Sequence, residues 1–278
     1  VPELPEVESA RATIERAGLG RTIAEVDDAD RYECRPHPAG EIRDALVGRS
    51  LTGAFRRGKT MWCETSGVGR ARTPGPVLGV HLGMSGRILI TGPPGELAEG
   101  GDWLGGRYGS AAEQADRKPE WDRFTITYTD GGSLRLFDKR RLGRVRLDPN
   151  LDALGPDAEQ VRVAEFRERV GRGTAPVKAR LLDQSVIAGV GNLLADETLW
   201  QAGIDPRHRV DELTADDLTG LHRALHKATK AAIRKGGVHT GDVIEFRGKG
   251  QHCPRCGAEM QHGVVGGRTT WWCPAEQR

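Results

Sequence analysis

Apolar positions recur along the chain with two different periods, and the changes between them divide it. Over residues 6–17, Val7, Ala10, Ile14 and Ala17 fall at helical spacing and Gly18 and Gly20 follow, which predicts a helix that stops there. The pattern then shortens to strand-like runs at 22–26, 51–55, 77–81, 87–91, 124–128 and 133–137, several of them separated by Gly or Asp-Gly turns. Short runs punctuated in this way predict a β-sandwich or barrel. Residues 95–116, rich in Gly, Ala and acidic side chains, interrupt the strands and read as a flexible surface insertion. After Asp148-Pro149 the helical period returns at 164–170, 177–184, 192–202 and 215–235, and Gly236-Gly237 closes the last of these. The expected class is α+β: a helix and β-sandwich in domain 1–150, a helical domain at 160–236, and a compact cysteine-bearing tail at 245–278. No internal repeat is visible.

A chain of 278 residues is long enough to bury a core and divide into two domains. Its charged fraction is 29% but its formal net charge is only +2, so an anionic polymer would have to meet a local basic stripe. No run approaches the roughly 20 apolar residues of a membrane span. Glu3, Glu6 and Glu8 open the chain where a secretory signal would be basic and then apolar. The expectation is a cytoplasmic protein without a membrane partner. Cys34 and Cys63 are isolated, whereas Cys253, Cys256 and Cys273 cluster near the carboxyl terminus. In a reduced compartment such a cluster points to metal before disulfide.

A tetrahedral zinc site takes four ligands, and Cys253-Pro-Arg-Cys256 with Cys273-Pro-Ala-Glu276 offers three thiolates and a carboxylate. His252 or His262 could supply nitrogen in place of Glu276. A metal-free hairpin packed by Trp271 and Trp272 is the plainer reading. Farther upstream, Gly189-Val190-Gly191-Asn192 joins two helical segments. The glycines permit close backbone approach, and Asn192 is placed to cap the second helix beside amides that would suit a phosphate.

The start of the chain, Pro2-Glu3-Leu4-Pro5-Glu6-Val7-Glu8, resembles the amino terminus of the Fpg/Nei (MutM-type) DNA glycosylases. The resemblance spans essentially the whole sequence. Gly189 to Glu197 is similar to the family's helix-two-turns-helix signature, His81-Leu-Gly-Met-Ser-Gly86 to its base-replacing loop, Asp138-Lys-Arg-Arg-Leu-Gly143 to the loop facing the orphaned base, and Gly267-Arg268-Thr-Thr270 to its zinc-finger hairpin. Leu142 stands where the family carries phenylalanine, and Glu276 where it carries a fourth cysteine.

The resemblance implies a bifunctional DNA glycosylase and abasic-site lyase acting as a monomer on damaged duplex DNA, with structural zinc as its one cofactor. It implies Pro2 nitrogen as nucleophile, Glu3 and Glu6 in the active site, and Lys59 and Arg268 at the sugar and its phosphates. Met84, Arg140 and Leu142 would fill the helix left by the everted nucleotide, with His81, Arg172, Lys178 and Asn192 also on DNA. It further implies a long capping loop in members that hold 8-oxoguanine firmly. The stretch from Gly236 to Cys253 is short, so formamidopyrimidines, oxidised pyrimidines and abasic sites are the expected substrates.

Val1 precedes the expected nucleophile. A retained Val1 would make the Pro2 nitrogen an amide and leave a lesion-binding protein with impaired chemistry. A GTG start codon read literally as valine explains Val1 without that loss, so Pro2 is expected to be the mature first residue. A generic zinc-ribbon nucleic-acid binder would account for the tail but not for the Glu-Leu-Pro-Glu start.

Overall fold

The computed structural model describes residues 2–68, 73–92, 96–102 and 118–278. They form two compact units, one of Pro2 and Glu6–Asn150, the other of Glu3–Pro5 and Leu151–Arg278.

The first unit begins with most of α1 (Leu4–Ala17), whose Val7, Ala10 and Ile14 are buried. Two antiparallel sheets follow. Strands β1 (Ile23–Asp27), β5 (Arg87–Thr91), β6 (Leu97–Gly101), β7 (Asp122–Tyr128) and β8 (Ser133–Phe137) form one sheet in the order β1-β7-β8-β5-β6. Strands β2 (Leu51–Arg57), β3 (Thr60–Thr65), β4 (Leu78–His81) and β9 (Arg144–Leu147) form the other in that order. Alternation drives the pairing: Phe124, Ile126 and Tyr128 of β7 turn inward, as do Met61 and Cys63 of β3. One apolar core takes side chains from α1 and both sheets, which makes the unit a sandwich. The short helix α2 (Glu41–Leu46) is nucleated from a distance: the buried Asp28 carboxylate accepts from the amides of Gly40 (2.7 Å), Ile42 (2.9 Å) and Arg43 (3.2 Å).

Strands β3, β6 and β9 and helix α2 were not expected from the sequence. β6 also corrects the reading of 95–116 as one flexible insertion: Leu97–Gly101 pairs in register with β5, because a sheet edge can order even a glycine-rich strand. Residues 95 and 103–116 of that stretch lie outside the described residues, as does Val1.

In the second unit, α3 (Val163–Val170), α4 (Val177–Leu182), α5 (Asn192–Ala202) and α6 (Ala215–Lys235) surround their own core. α5 is the central element, with Leu194 through Trp200 all buried. α6 begins in a capping box between Thr214 and Asp217 and ends at Gly236, so its limits match the sequence reading. The hairpin of β10 (Gln261–Val265) and β11 (Arg268–Trp272) closes the unit. Among the described residues, no helix is long and apolar enough to cross a membrane.

Candidate nucleic-acid interface

Two groups of the singled-out residues come together, one in each unit. In the second unit the organising group is Glu3, which is 3% exposed. Its Oε2 accepts from the amides of Gly191 and Leu194 at 3.0 Å each, and its Oε1 from Leu193 at 2.8 Å. The start of α5 would otherwise leave these donors unpaired, and its dipole favours a negative charge there. Gly191 is needed for the approach, since a Cβ at that position would lie 2.2 Å from Glu3 Cδ.

This arrangement corrects the reading of Asn192 as the cap. Gly191 occupies the cap position, Asn192 is the first helical residue, and the amides reserved for a phosphate are taken by Glu3. A carboxylate from the start of the chain outcompetes a neutral amide for these donors. Freed from capping, Asn192 Nδ2 donates to Thr269 O on the hairpin at 3.0 Å, while its Oδ1 has no hydrogen-bond partner among the described residues.

Lys178 is also placed differently from the DNA-facing expectation. Its ammonium is fully buried, 2.7 Å from Asp196 Oδ1, and donates to Thr270 Oγ1 at 2.7 Å. Burial pushes the Lys178 pKa down, against the pull of Asp196. The lysine ties α4 to α5 and β11, because a buried carboxylate on α5 is a stronger attraction than solvent. Arg247, which the sequence reading missed, donates to the other Asp196 oxygen at 2.8 Å. It lies in a glycine-containing stretch with no periodicity to mark it. Arg268 stands exposed at the start of β11, beyond the two-residue turn Gly266-Gly267. Arg172 is apart from this group, exposed after α3 beside a 510 Å³ hollow shared with Glu165, Glu168, Arg169 and Arg180.

The tail brings Cys253, Cys256 and Cys273 together with all three sulfurs within 4.8 Å of one another. Trp200 Nε1 donates to Cys253 Sγ at 3.4 Å. Burial pushes the Cys253 thiol up, but hydrogen bonds from Trp200 and from the Cys256 and Arg255 amides overcome it and lower the pKa. Convergent sulfurs with N–H donors aimed at them suit a metal-bound thiolate. The expected fourth ligand, Glu276, is not in the cluster; its carboxylate lies 3.9 Å from Arg255 Nη1, an ion pair that holds it aside. The alternatives are not in the cluster either: His262 stacks on Trp271 with ring centroids 4.7 Å apart, and neither His252 nor His262 is grouped with the three sulfurs among the described residues.

In the first unit, Pro2 is buried and Glu6 is buried in the first turn of α1. Lys59 sits in the turn between β2 and β3, and His81 ends β4. Burial, then the positive charges of Lys59 and Arg146, lower the His81 pKa, so the imidazole is neutral near pH 7. Its Nδ1 accepts from Gly83 N at 3.0 Å, which leaves the proton on Nε2. A 380 Å³ pocket beside it is lined by Thr60, His81, Leu142, Arg144, Arg146 and Asn150, among others.

The Met84 turn and the Arg140 loop form one assembly. A Cβ on Gly83 would stand 2.4 Å from the Leu142 carbonyl carbon, so only glycine lets the two loops meet. Asp138, fully buried, joins them: its carboxylate accepts from Ser85 Oγ, from Arg140 N at 3.0 Å, and from Leu142 N and Gly143 N at 2.9 Å each. Arg140 is left exposed, Leu142 is 42% exposed, and Met84 is half-buried on its turn.

Residues 1–145 match the formamidopyrimidine-DNA glycosylase N-terminal domain, and residues 153–242 match the H2TH domain of the same enzymes. The formamidopyrimidine-DNA glycosylase of Corynebacterium aurimucosum is 32% identical over all of this chain and 96% of its own length. That of Nocardioides sp. is 33% identical over all of this chain and 94% of its own. Lactococcus lactis Fpg, solved in complex with DNA containing an abasic site, superposes with a TM-score of 0.78 at 26% identity, covering 99% of both chains. The same protein with DNA containing FAPY-dG gives 0.78 at 27% identity, over 99% of this chain and all of that one. The chain therefore belongs to the formamidopyrimidine-DNA glycosylase family, whose members are base-excision repair enzymes with DNA glycosylase and abasic-site lyase activity.

Proposed function

We propose that this chain excises oxidised bases from duplex DNA through a Schiff base on the Pro2 nitrogen and then cuts the strand by β,δ-elimination. The observation that carries the reading is the anchoring of Glu3, the residue after Pro2, by three backbone amides at the head of α5. A carboxylate fixed beside the nucleophile in sequence can take the proton that the Pro2 amine loses on bonding to C1′, pass it to the sugar ring oxygen and shuttle protons afterwards.

With Val1 removed, Pro2 is a secondary amine, and α-amines have pKa values near about 8, so part of it is unprotonated at neutral pH. Its lone pair attacks C1′, the glycosidic electrons leave with the protonated base, and ring opening gives an iminium. That cation acidifies the C2′ proton. Loss of this proton expels the 3′ phosphate, and a second elimination expels the 5′ phosphate. Glu6 completes the acid–base set, Lys59 holds the sugar and its phosphate, and Arg268 grips the flanking phosphates and assists the last elimination.

Met84, Arg140 and Leu142 fill the gap left by the everted nucleotide, offsetting part of an unstacking cost of a few kcal/mol. Leu142 fills space without the stacking of an aromatic ring. Asn192 contacts backbone phosphate, and a Zn²⁺ held by Cys253, Cys256 and Cys273 would brace the hairpin that carries Arg268. The protein acts as a monomer on cytoplasmic DNA.

Formamidopyrimidines, oxidised pyrimidines and abasic sites are preferred over 8-oxoguanine. The segment after α6 supports this preference. It is used up in two short 3-10 turns, Val238–Thr240 and Ile244–Phe246, with Val238 and Val243 buried, and leaves no length for a capping loop.

The test is borohydride trapping on duplexes carrying each lesion, with protein whose amino-terminal mass has been measured. A covalent adduct is expected when Pro2 is first. Absence of any adduct with such material sinks the reading, and 8-oxoguanine excision equal to that of the other lesions overturns the preference. Lesion binding without adduct by chains retaining Val1 would identify an impaired lesion-binding form.

A further inference from the structure

Glu33 lies beneath the Asp138 assembly and belongs to none of the motifs above. It is fully buried, and neither carboxyl oxygen has a well-aligned N–H or hydroxyl donor among the described residues; the nearby Gly143 amide, which favours the charged form, donates at 2.9 Å to Asp138 Oδ2 and cannot outweigh the burial. An ionised carboxylate in that position would be a severe defect. What it meets is another acid: its side chain is in hydrogen-bonding contact with the Asp138 carboxyl, and its Oε2 fills the space where a Cβ on Gly143 would stand, 2.3 Å away. Two carboxyl groups in contact with each other and out of water share one proton.

We propose that Glu33 is a positioning residue for the loop that carries Arg140 and Leu142: as a neutral acid it donates its O–H to the Asp138 carboxylate and holds that hub in place. The assignment follows from the donor count. Asp138 already accepts from Ser85 Oγ and three amides, all consistent with an ionised carboxylate, so the shared proton resides on Glu33. The segment bearing Glu33 also grips the loop a second time. Arg141, at a φ of 53°, makes a two-pronged contact with Asp30 at 2.9 Å for each bond, and its guanidinium covers the Tyr32 ring at 4.4 Å. Glu33 O accepts from Val145 N at 2.8 Å, at the loop's far end.

The surrounding charges keep the proton in place. Burial, then the negative charges of Asp138 and Asp30, push the Glu33 pKa up to about 8. Arg141 is committed to Asp30, Arg123 donates to Asp138 O at 2.9 Å, and Arg144 donates to Gly143 O. Cys34, pushed up to about 12 by burial, carries no charge.

The role of the loop on DNA rests on the function proposed above, so the experiment separates the two. Binding to a duplex with a tetrahydrofuran abasic-site analogue, relative to the undamaged duplex, needs no nucleophile. If only protonated Glu33 holds the loop, one pH unit above its pKa leaves about a tenth of the protein competent, and the preference for the damaged duplex falls about tenfold between pH 7 and pH 9. Glu33→Gln, which keeps a donor toward Asp138, should match the native preference at pH 7 and stay flat to pH 9. Glu33→Ala should lose most of the preference at both. An alkaline fall in Glu33→Gln equal to that of the native protein, or an unchanged preference in Glu33→Ala, overturns the proposal. In parallel, carbon-13 NMR of labelled glutamate should show one carboxyl titrating near pH 8 that Glu33→Gln lacks, and its absence also overturns it. An Arg140→Ala variant with native preference, alongside that resonance, would instead indict the assignment of the loop to DNA.

Discussion

Glu3 is asked to do two things, and two substitutions separate them. Glu3→Ala removes the acceptor of three amides at the start of α5, of which those of Gly191 and Leu194 are buried. An unsatisfied buried donor costs about 1–3 kcal/mol, so the two together cost about 2–6 kcal/mol. At a few degrees per kcal/mol, the melting temperature should fall on the order of 10 °C. Glu3→Gln keeps one acceptor oxygen, which can serve Gly191 and Leu194 as Oε2 does now. Its NH₂ group would face the Leu193 amide, which is part-exposed and open to water. Stability should then fall by only about 1 kcal/mol, the size of a weakened helix cap. The chemistry responds in the opposite way. An amide cannot pass a proton to the sugar, so excision by Glu3→Gln should drop by about 10²–10⁴-fold. The assays are thermal unfolding and single-turnover excision, with protein whose first residue is Pro2 by mass. If Glu3→Gln melts as low as Glu3→Ala, the capping argument is wrong; if it excises at near-native rate, Glu3 is not the acid.

Lys178→Ala should destabilise by about 3 kcal/mol or more, because among the described residues it leaves the buried Asp196 with only the Arg247 ion pair; urea melts of Lys178→Ala, Asp196→Ala and the double variant should be strongly non-additive, and simple additivity would contradict a buried pair. Elemental analysis should find one zinc per native chain, lost on Cys256→Ser and retained on Glu276→Ala, since the Glu276 carboxylate faces Arg255 and not the sulfurs; metal loss in the glutamate variant would restore it as a ligand. Stability should also carry the signature of Glu33. The folded protein keeps that proton to about pH 8, while an unfolded chain releases it near the ordinary value of 4.5. The folded state therefore binds more protons across that window, and stability falls as pH rises through it. Glu33→Gln should flatten this slope in urea melts between pH 5 and 8.

Much of the architecture was legible because it is written in local patterns. The limits of α6 follow from Thr214, Asp217 and Gly236, which act within a few residues of the helix ends they define. Phe124, Ile126 and Tyr128 announce β7 by alternation alone. The separated motifs are likewise readable, and they identify the family from the sequence alone. What stayed hidden has one physical character: it depends on charges brought together from distant parts of the chain. Sequence spacing gave Asn192 as a cap, but Glu3 supplies the acceptor from 188 to 191 residues away. Asp28 nucleates α2 in the same manner over 12 to 15 residues. Lys178 is expected on DNA until Asp196 is found facing it, and nothing in the sequence marks Glu33 until Asp138 is found against it. The sequence by itself determined the elements, their order and the family, because helical and strand periods and turn residues act over a few positions. Only the tertiary structure decided which carboxylates cap, pair or keep a proton, because those states depend on burial and on the partner that folding delivers.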